Sequence, residues 1–195
     1  MTKGKVKMDE IRKKILETVV IEYQKKGLKF TMDDIAKELH ISKKTIYKTY
    51  RDKEQMLDEM VDYVFNSIKE TEARIMKNPM LSTDEKVKKI LGALPDNYKS
   101  LDFRLLYQLA EKYPKVYKKI NSRLESDWDN TIALIELGIK EGSIRNVSIP
   151  VVKLMFESTI EKFLSSDILI KMDMDYTQAL SQMVDLLVYG MKTRN

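Results

Sequence analysis

Apolar residues in this chain recur three and four positions apart in one stretch after another, the spacing that gathers them on a single stripe of an α-helix. The first stretch covers 8–26, with Ile11, Ile15, Leu16, Val19, Val20 and Tyr23 on the stripe and Gly27 as its stop. Phe30 follows as an expected buried residue. Thr31 then stands where a helix N-cap is needed, with Asp34 three residues on as its reciprocal partner and Ile35, Ala36 and Leu39 continuing the inward face. Ser42 is placed to cap a third short helix over 43–50 that starts with Lys43, Lys44 and Thr45. Two short capped helices joined by a tight turn, with a longer helix on each side, form the grammar of a DNA-reading helix-turn-helix.

A longer helix is predicted from near Asp52 through Met56, Leu57, Met60, Val61, Val64, Phe65 and Ile68 to Met76, ending before Asn78-Pro79. Ser82-Thr83-Asp84-Glu85 is a helix-start cluster leading into Val87, Ile90, Leu91 and Leu94, and Pro95-Asp96 marks a break. A short helix over 97–111 carries Leu101, Leu105, Leu106 and Leu109. From Tyr113-Pro114 to Glu141-Gly142 runs one long amphipathic stretch with Val116, Ile120, Leu124, Trp128, Ile132, Ile135 and Ile139 as its stripe. Two more helices are expected over 149–166 and 175–192, the first with Pro150 at an early position where its missing N–H does no harm. No repeat or low-complexity linker interrupts them.

Composition narrows the fold class to all-α. Apolar residues make up 43% and charged residues 33% of the chain, which suits a soluble, charge-laced helical protein, and only 6 Gly and 4 Pro are available for the tight turns that a sheet protein needs. There is no Cys and one His, His40, so thiol chemistry and Cys- or His-rich metal sites are excluded, and no metal or cofactor is expected. No apolar h-region follows the basic N-terminus, and no apolar run approaches the roughly 20 residues of a membrane span, so a cytoplasmic location with no membrane partner is expected. Residues 1–55 hold 15 Lys or Arg against 9 Asp or Glu, a net of +6, whereas the remainder is nearly neutral. That is the electrostatic footprint of a module that displaces counterions from a phosphate backbone, although a solvated lysine-rich tail would have the same composition.

The residues Gly27, Phe30, Thr31, Ile35, Ala36, Ile41-Ser42, Thr45-Ile46-Tyr47, Tyr50, Lys53-Glu54 and Leu57 decide between these. The segment resembles the N-terminal domain of the TetR family of bacterial transcription regulators, whose pattern combines two caps, a buried apolar frame and a tyrosine-bearing recognition helix at set spacing. Two positions depart from it. His40 stands where Gly is usual, which is tolerable because His visits the left-handed region more readily than most residues, and Lys44 stands where a small residue is usual. The operator sequence therefore cannot be borrowed from relatives.

Position on the recognition helix assigns the roles. Residues near its N-terminus point towards base edges when such a helix enters a major groove, so Lys43, Lys44 and Thr45 are the readout candidates. Tyr47 and Lys48 can reach the backbone from the flank, and Lys53 can hold a phosphate together with the free N–H groups at the start of its helix. Thr31 and Ser42 complete the DNA-binding set, with capping alone as their simpler role. Tyrosine on a short helix is often plain core. The resemblance implies that Tyr47 meets phosphate while Tyr50 packs inside. His40, a lone histidine in a turn, reads as structural or simply exposed.

For the body of the chain the resemblance implies an effector-binding and dimerisation domain, giving 1–53 for DNA binding and 54–195 for the rest. Lys140-Glu141-Gly142-Ser143-Ile144-Arg145 is similar to the break that precedes the family's last two helices, which commonly form a four-helix bundle with a second subunit. The last helix supports this on its own account, since Leu180, Met183, Val184, Leu186, Leu187 and Val188 cannot all face one core. Phe156, Ile160, Phe163, Leu180, Met183 and Leu187 are the dimer-interface candidates; a thick monomeric core is the alternative. The implied effector is small and apolar or aromatic, with Phe103, Tyr107, Trp128, Met155 and Phe156 as candidate lining residues, though rings at helical spacing are usually ordinary core.

The expected function is thus a ligand-responsive transcriptional regulator, a repressor that binds a palindromic operator in double-stranded DNA as a homodimer. A body that binds a protein partner instead of a small molecule is the alternative. An enzyme with a helix-turn-helix appendage finds no constellation to support it: there is no Gly-rich phosphate loop, and Glu125, Asp127 and Asp129 point different ways round a helix as a solvated face would.

Overall fold

The computed structural model describes residues 3–94, 103, 106–126 and 128–193, with side chains from Asp9 onward. The expected break at Pro95-Asp96, Leu101 and Leu105 of the 97–111 helix, and Asp127 lie outside the described residues. The chain is all-α, and its contacts divide it into two compact units, Met1–Phe65 with Gln108–Lys119 and Asn66–Tyr107 with Ile120–Asn195.

In the first unit, α1 (Lys3–Lys26) leads through a 3-10 turn (Gly27–Lys29) to α2 (Met32–Glu38), α3 (Lys43–Thr49) and the start of α4 (Lys53–Met76). Gly27 ends α1 with a φ of +56°, a left-handed angle that side chains resist. Ile15 and Val19 of α1, Phe30, Ile35, Ile46, Tyr50, Met56 and Leu57 are buried together as the core of this unit. Burial of that many large apolar groups, each contributing about 1.5–3 kcal/mol, is what holds helices as short as α2 and α3, which would be marginal alone. α6 (Tyr107–Lys112) from Gln108 onward and the first part of α7 (Pro114–Glu125) belong to the same unit, where Lys119 Nζ lies 2.7 Å from Asp58 Oδ2 and 2.6 Å from Asp62 Oδ2 on α4.

The second unit contains the rest of α4 with α5 (Thr83–Leu91), α8 (Asp129–Glu141), α9 (Ile149–Ser165), the one-turn α10 (Ile168–Lys171) and α11 (Tyr176–Met191). α5 packs on α8 and α11, and α9 packs on α10 and α11. The single long stretch expected from Tyr113 to Gly142 is two helices, α7 ending at Glu125 and α8 starting at Asp129. Its stripe advanced in steps of four, and each such step overshoots a turn by about 40°, so the apolar face had already rotated away before Trp128. α8 accordingly buries Thr131, Leu134, Ile135 and Gly138 instead of a face through Ile132 and Ile139. It closes on Gly142 at φ +78°, a left-handed C-cap. α10 was not expected either. No helix of the described residues is long and apolar enough to cross a membrane, and none of their acidic or histidine groups cluster as a metal site.

Candidate nucleic-acid interface

The start of α2 is held by a reciprocal cap. The Thr31 N–H donates to Asp34 Oδ2 at 2.7 Å, and the Asp34 N–H donates to Thr31 Oγ1 at 3.2 Å. Lys26, at the end of α1, places its ammonium 2.9 Å from Asp34 Oδ1 and 2.8 Å from Glu22 Oε2. The Lys26 ammonium first, and then the Thr31 hydroxyl and amide, hold the Asp34 carboxyl down at about 2. The cap expected at Thr31 is therefore also the point where α1 and α2 are tied electrostatically.

Between α2 and α3, His40 adopts a φ of +51°, and the turn is closed by the Ile41 N–H donating to the Ala36 carbonyl at 3.0 Å. A histidine here meets the left-handed requirement of the turn. Ser42 caps α3 by accepting the Thr45 N–H at 3.1 Å, and the hydroxyls of Ser42 and Thr45 lie 2.9 Å apart. Ile46 and Tyr50 are fully buried, so α3 has one orientation, with Lys43, Lys44, Tyr47 and Lys48 exposed on its outer face. The two tyrosines separate as the resemblance implied: Tyr47 is 53% exposed and Tyr50 not at all. Burial, and after it the Glu59 carboxylate, pushes the Tyr50 hydroxyl well above its usual range.

Two features of this face were not read from the sequence. Lys43 forms an ion pair with Asp33 on α2; the sequence signal was two consecutive acids in a first helical turn, which ordinarily only complement the helix dipole. Lys53 donates from Nζ to the carbonyls of Leu28 at 2.7 Å and Phe30 at 2.5 Å, and its ammonium lies 3.9 Å from the centre of the Phe30 ring. Burial first, and then the Lys112 charge, lowers its pKa. Lys53 thus fastens the 3-10 turn to α4. No local spacing could announce a bond to carbonyls 23 and 25 residues earlier.

Of the expected effector residues, Met155 and Phe156 lie on α9, Trp128 at the start of α8 and Tyr107 at the start of α6. Trp128 meets Phe156 edge-on with ring centres 5.4 Å apart, while Phe103 lies tilted by 46° against Tyr176 at 4.8 Å and Phe163 meets the same Tyr176 edge-on at 6.4 Å. Tyr107 is half-buried, and Met155 is exposed and lines a different feature, an open groove of about 350 Å³ bounded by α9, α10 and α11. Phe163, Met183 and Leu187, expected at a dimer interface, line that groove as well. Ile160 and Leu180, expected with them, do not: at 1% and 4% exposed they are covered by their own chain. Exposed apolar residues on these helices include Leu154 on α9 and Leu186 and Tyr189 on α11, the last two 76% and 74% exposed, and Leu186 also lines the groove.

Residues 15–60 match the family model described as bacterial regulatory proteins, tetR family. That span covers the core of α1, both caps, the turn and the start of α4. An uncharacterized HTH-type transcriptional regulator of Bacillus subtilis, YvaF, is 28% identical over 178 residues, covering 91% of this chain and 94% of the relative. The fold is shared with a TetR-family transcriptional regulator from Cytophaga hutchinsonii, at a TM-score of 0.67 and 17% identity over 97% of this chain and 98% of that one. It is shared too with the transcriptional regulator FadR from Bacillus subtilis, in complex with stearoyl-CoA, at 0.59 and 19% over 91% and 98%. With the family's pattern lying on the capped helix pair and its buried frame, residues 15–60 carry a DNA-binding domain of the tetR family type, and the chain is similar over most of its length to an HTH-type transcriptional regulator.

Proposed function

We propose that the chain is a ligand-responsive repressor that reads a palindromic operator as a homodimer. The observation that carries the reading is the outer face of α3, where Lys43, Lys44, Tyr47 and Lys48 are exposed while Ile46 and Tyr50 anchor the helix from behind. Lys43, Lys44 and Thr45 face base edges in the major groove; Tyr47, Lys48, Lys53, Thr31 and Ser42 hold the phosphates on either side. Lys53 has one ammonium proton left for that contact after its two carbonyl bonds.

The dimer forms through the groove face of α9 and α11, with Leu154, Met155, Phe163, Met183, Leu186, Leu187 and Tyr189 meeting the same residues of a second copy. Support comes from the exposure of Leu154, Leu186 and Tyr189, since so much apolar surface on adjacent helices is uncommon in a monomer. The effector is a small apolar or aromatic molecule taken up beside the line of rings along α9, from Trp128–Phe156 to Phe163–Tyr176–Phe103. FadR, a structural relative, was crystallised in complex with stearoyl-CoA, an example on this fold of a ligand with a long apolar chain.

Fluorescence anisotropy with duplex DNA from the chain's own promoter region tests the reading. Affinity should fall steeply between about 50 and 200 mM salt, because each phosphate contact releases counterions. Absent or salt-insensitive binding would overturn it.

A further inference from the structure

Asp33 stands on α2 with its carboxylate on the Lys43 ammonium, at the first position of α3. Both groups are open to solvent, with 39% of the Asp33 side chain and 61% of the Lys43 side chain exposed, so water screens the pair and its role in stability is small. Its place matters more. The rest of the α3 face presents Lys44 and Lys48, which attract phosphate, and a carboxylate beside them opposes that attraction.

When Lys43 moves onto a base edge or a phosphate, Asp33 is left uncovered next to a polyanion. That penalty falls on every DNA sequence alike. It is relieved only where the major groove offers a hydrogen-bond donor; of the two amino groups there, the adenine one lies beside the N7 acceptor, which repels a carboxylate, so the cytosine 4-amino group is the better partner. Resting on the DNA-binding reading of the α3 face, we infer that Asp33 is a specificity-determining residue. It lowers affinity for DNA in general and favours operators with a cytosine within its reach in each half-site. The acid thereby converts a basic, indiscriminate surface into a selective one, the use of a repulsive element to separate the right partner from the wrong ones.

Selection of duplexes from a randomised pool, with the full-length protein and with Asp33→Asn, tests this. The selected duplex and a scrambled one are then titrated by anisotropy. The wild type should enrich a palindrome containing the cytosine. In Asp33→Asn, scrambled-duplex affinity should rise roughly three- to tenfold and discrimination at the cytosine should fall roughly fivefold or more, the range of one lost base contact. Asp33→Glu, which keeps the charge, should retain weak scrambled binding. Lys43→Gln leaves the carboxylate uncovered, so it should weaken scrambled binding while the cytosine preference stays, and it serves if the Asn variant does not fold. An Asn variant with the wild-type sequence preference and scrambled-duplex affinity overturns the inference, as does a Lys43→Gln protein that loses the cytosine. A wild type that enriches no sequence overturns the DNA-face reading itself, which separates the two failures.

Discussion

Lys53 gives two of its three ammonium protons to the carbonyls of Leu28 and Phe30, so its removal has two consequences. Lys53→Ala should weaken binding to every duplex and lower the salt slope by about 1, as loss of a phosphate contact requires. It should also melt earlier than wild type, because the turn before α2 loses its anchor. Lys43→Ala uncovers Asp33 and so should also weaken binding generally, but unlike Lys53→Ala it should change preference at the base that Lys43 itself reads, with little change in melting temperature, since its partner Asp33 is exposed and the pair is screened. Equal behaviour of the two variants in binding would show that positioning and readout are not separated here. Asp34 has its own signature in pH. Its folded carboxyl titrates at about 2 against an ordinary 3.8, so its stabilising effect is complete above the higher value and is lost as pH falls towards the lower. Thermal melts between pH 5 and 2 should therefore fall less steeply for Asp34→Asn than for wild type (the window set by that shift), and parallel curves would remove Asp34 from the account.

At the scale of elements, the sequence shows where helices start more clearly than where one becomes two. The caps at Thr31 and Ser42 depend on residues three apart and are found as expected. The division of the 113–142 stretch into α7 and α8 depends on which side each half must bury, which the α7 and α8 partners decide. Gly138 illustrates the packing that follows. A Cβ there would stand 2.6 Å from Ile144 Cδ1 and 2.8 Å from its Cγ1, and Ile144 is itself buried and bonded through its N–H to the Gly138 carbonyl at 3.0 Å. Gly138→Ala gains roughly 1 kcal/mol of helix propensity and loses about 1–3 kcal/mol to overpacking. The expected net loss is about 1 kcal/mol, read as a lower urea midpoint at unchanged slope; a higher midpoint would mean that Ile144 moves aside freely.

At the scale of the molecule, the proposed reading of a palindrome requires two copies of α3 set about one DNA turn apart, roughly 34 Å, or a multiple of it. The proposed dimer makes this checkable without knowledge of the effector. Leu186→Glu with Tyr189→Glu alters two exposed positions, so the protomer should fold and melt as wild type does. Sedimentation should nevertheless show a monomer, and affinity for a palindrome should drop to that for a half-site. A double variant that remains dimeric would move the interface off α11. The charge division belongs to this scale too: with a net of +6 in residues 1–55 and a nearly neutral remainder, salt should act on DNA binding much more than on dimerisation.

Most of the helices, their caps and the basic character of residues 1–55 were legible in the sequence, because each depends on residues within one or two turns of one another, and the turn at His40 was legible through the family resemblance. So was the outward set of α3, since a seven-residue helix with Ile46 on its inner side and Tyr50 buried just past its end leaves Lys43, Lys44, Tyr47 and Lys48 facing out. Tertiary structure decided what those residues hold. An apolar stripe says that Ile160 and Leu186 avoid water but not which of them its own chain will cover, and it is Ile160. A lysine says that charge is present but not that Lys53 will bind carbonyls 23 and 25 residues away, or that Lys43 will meet Asp33. Likewise, nothing local marks Gln108–Lys119 as part of the unit that carries α2 and α3. Local spacing selects helix and face, whereas partners are chosen by long-range packing, and a recognition surface is made of partners.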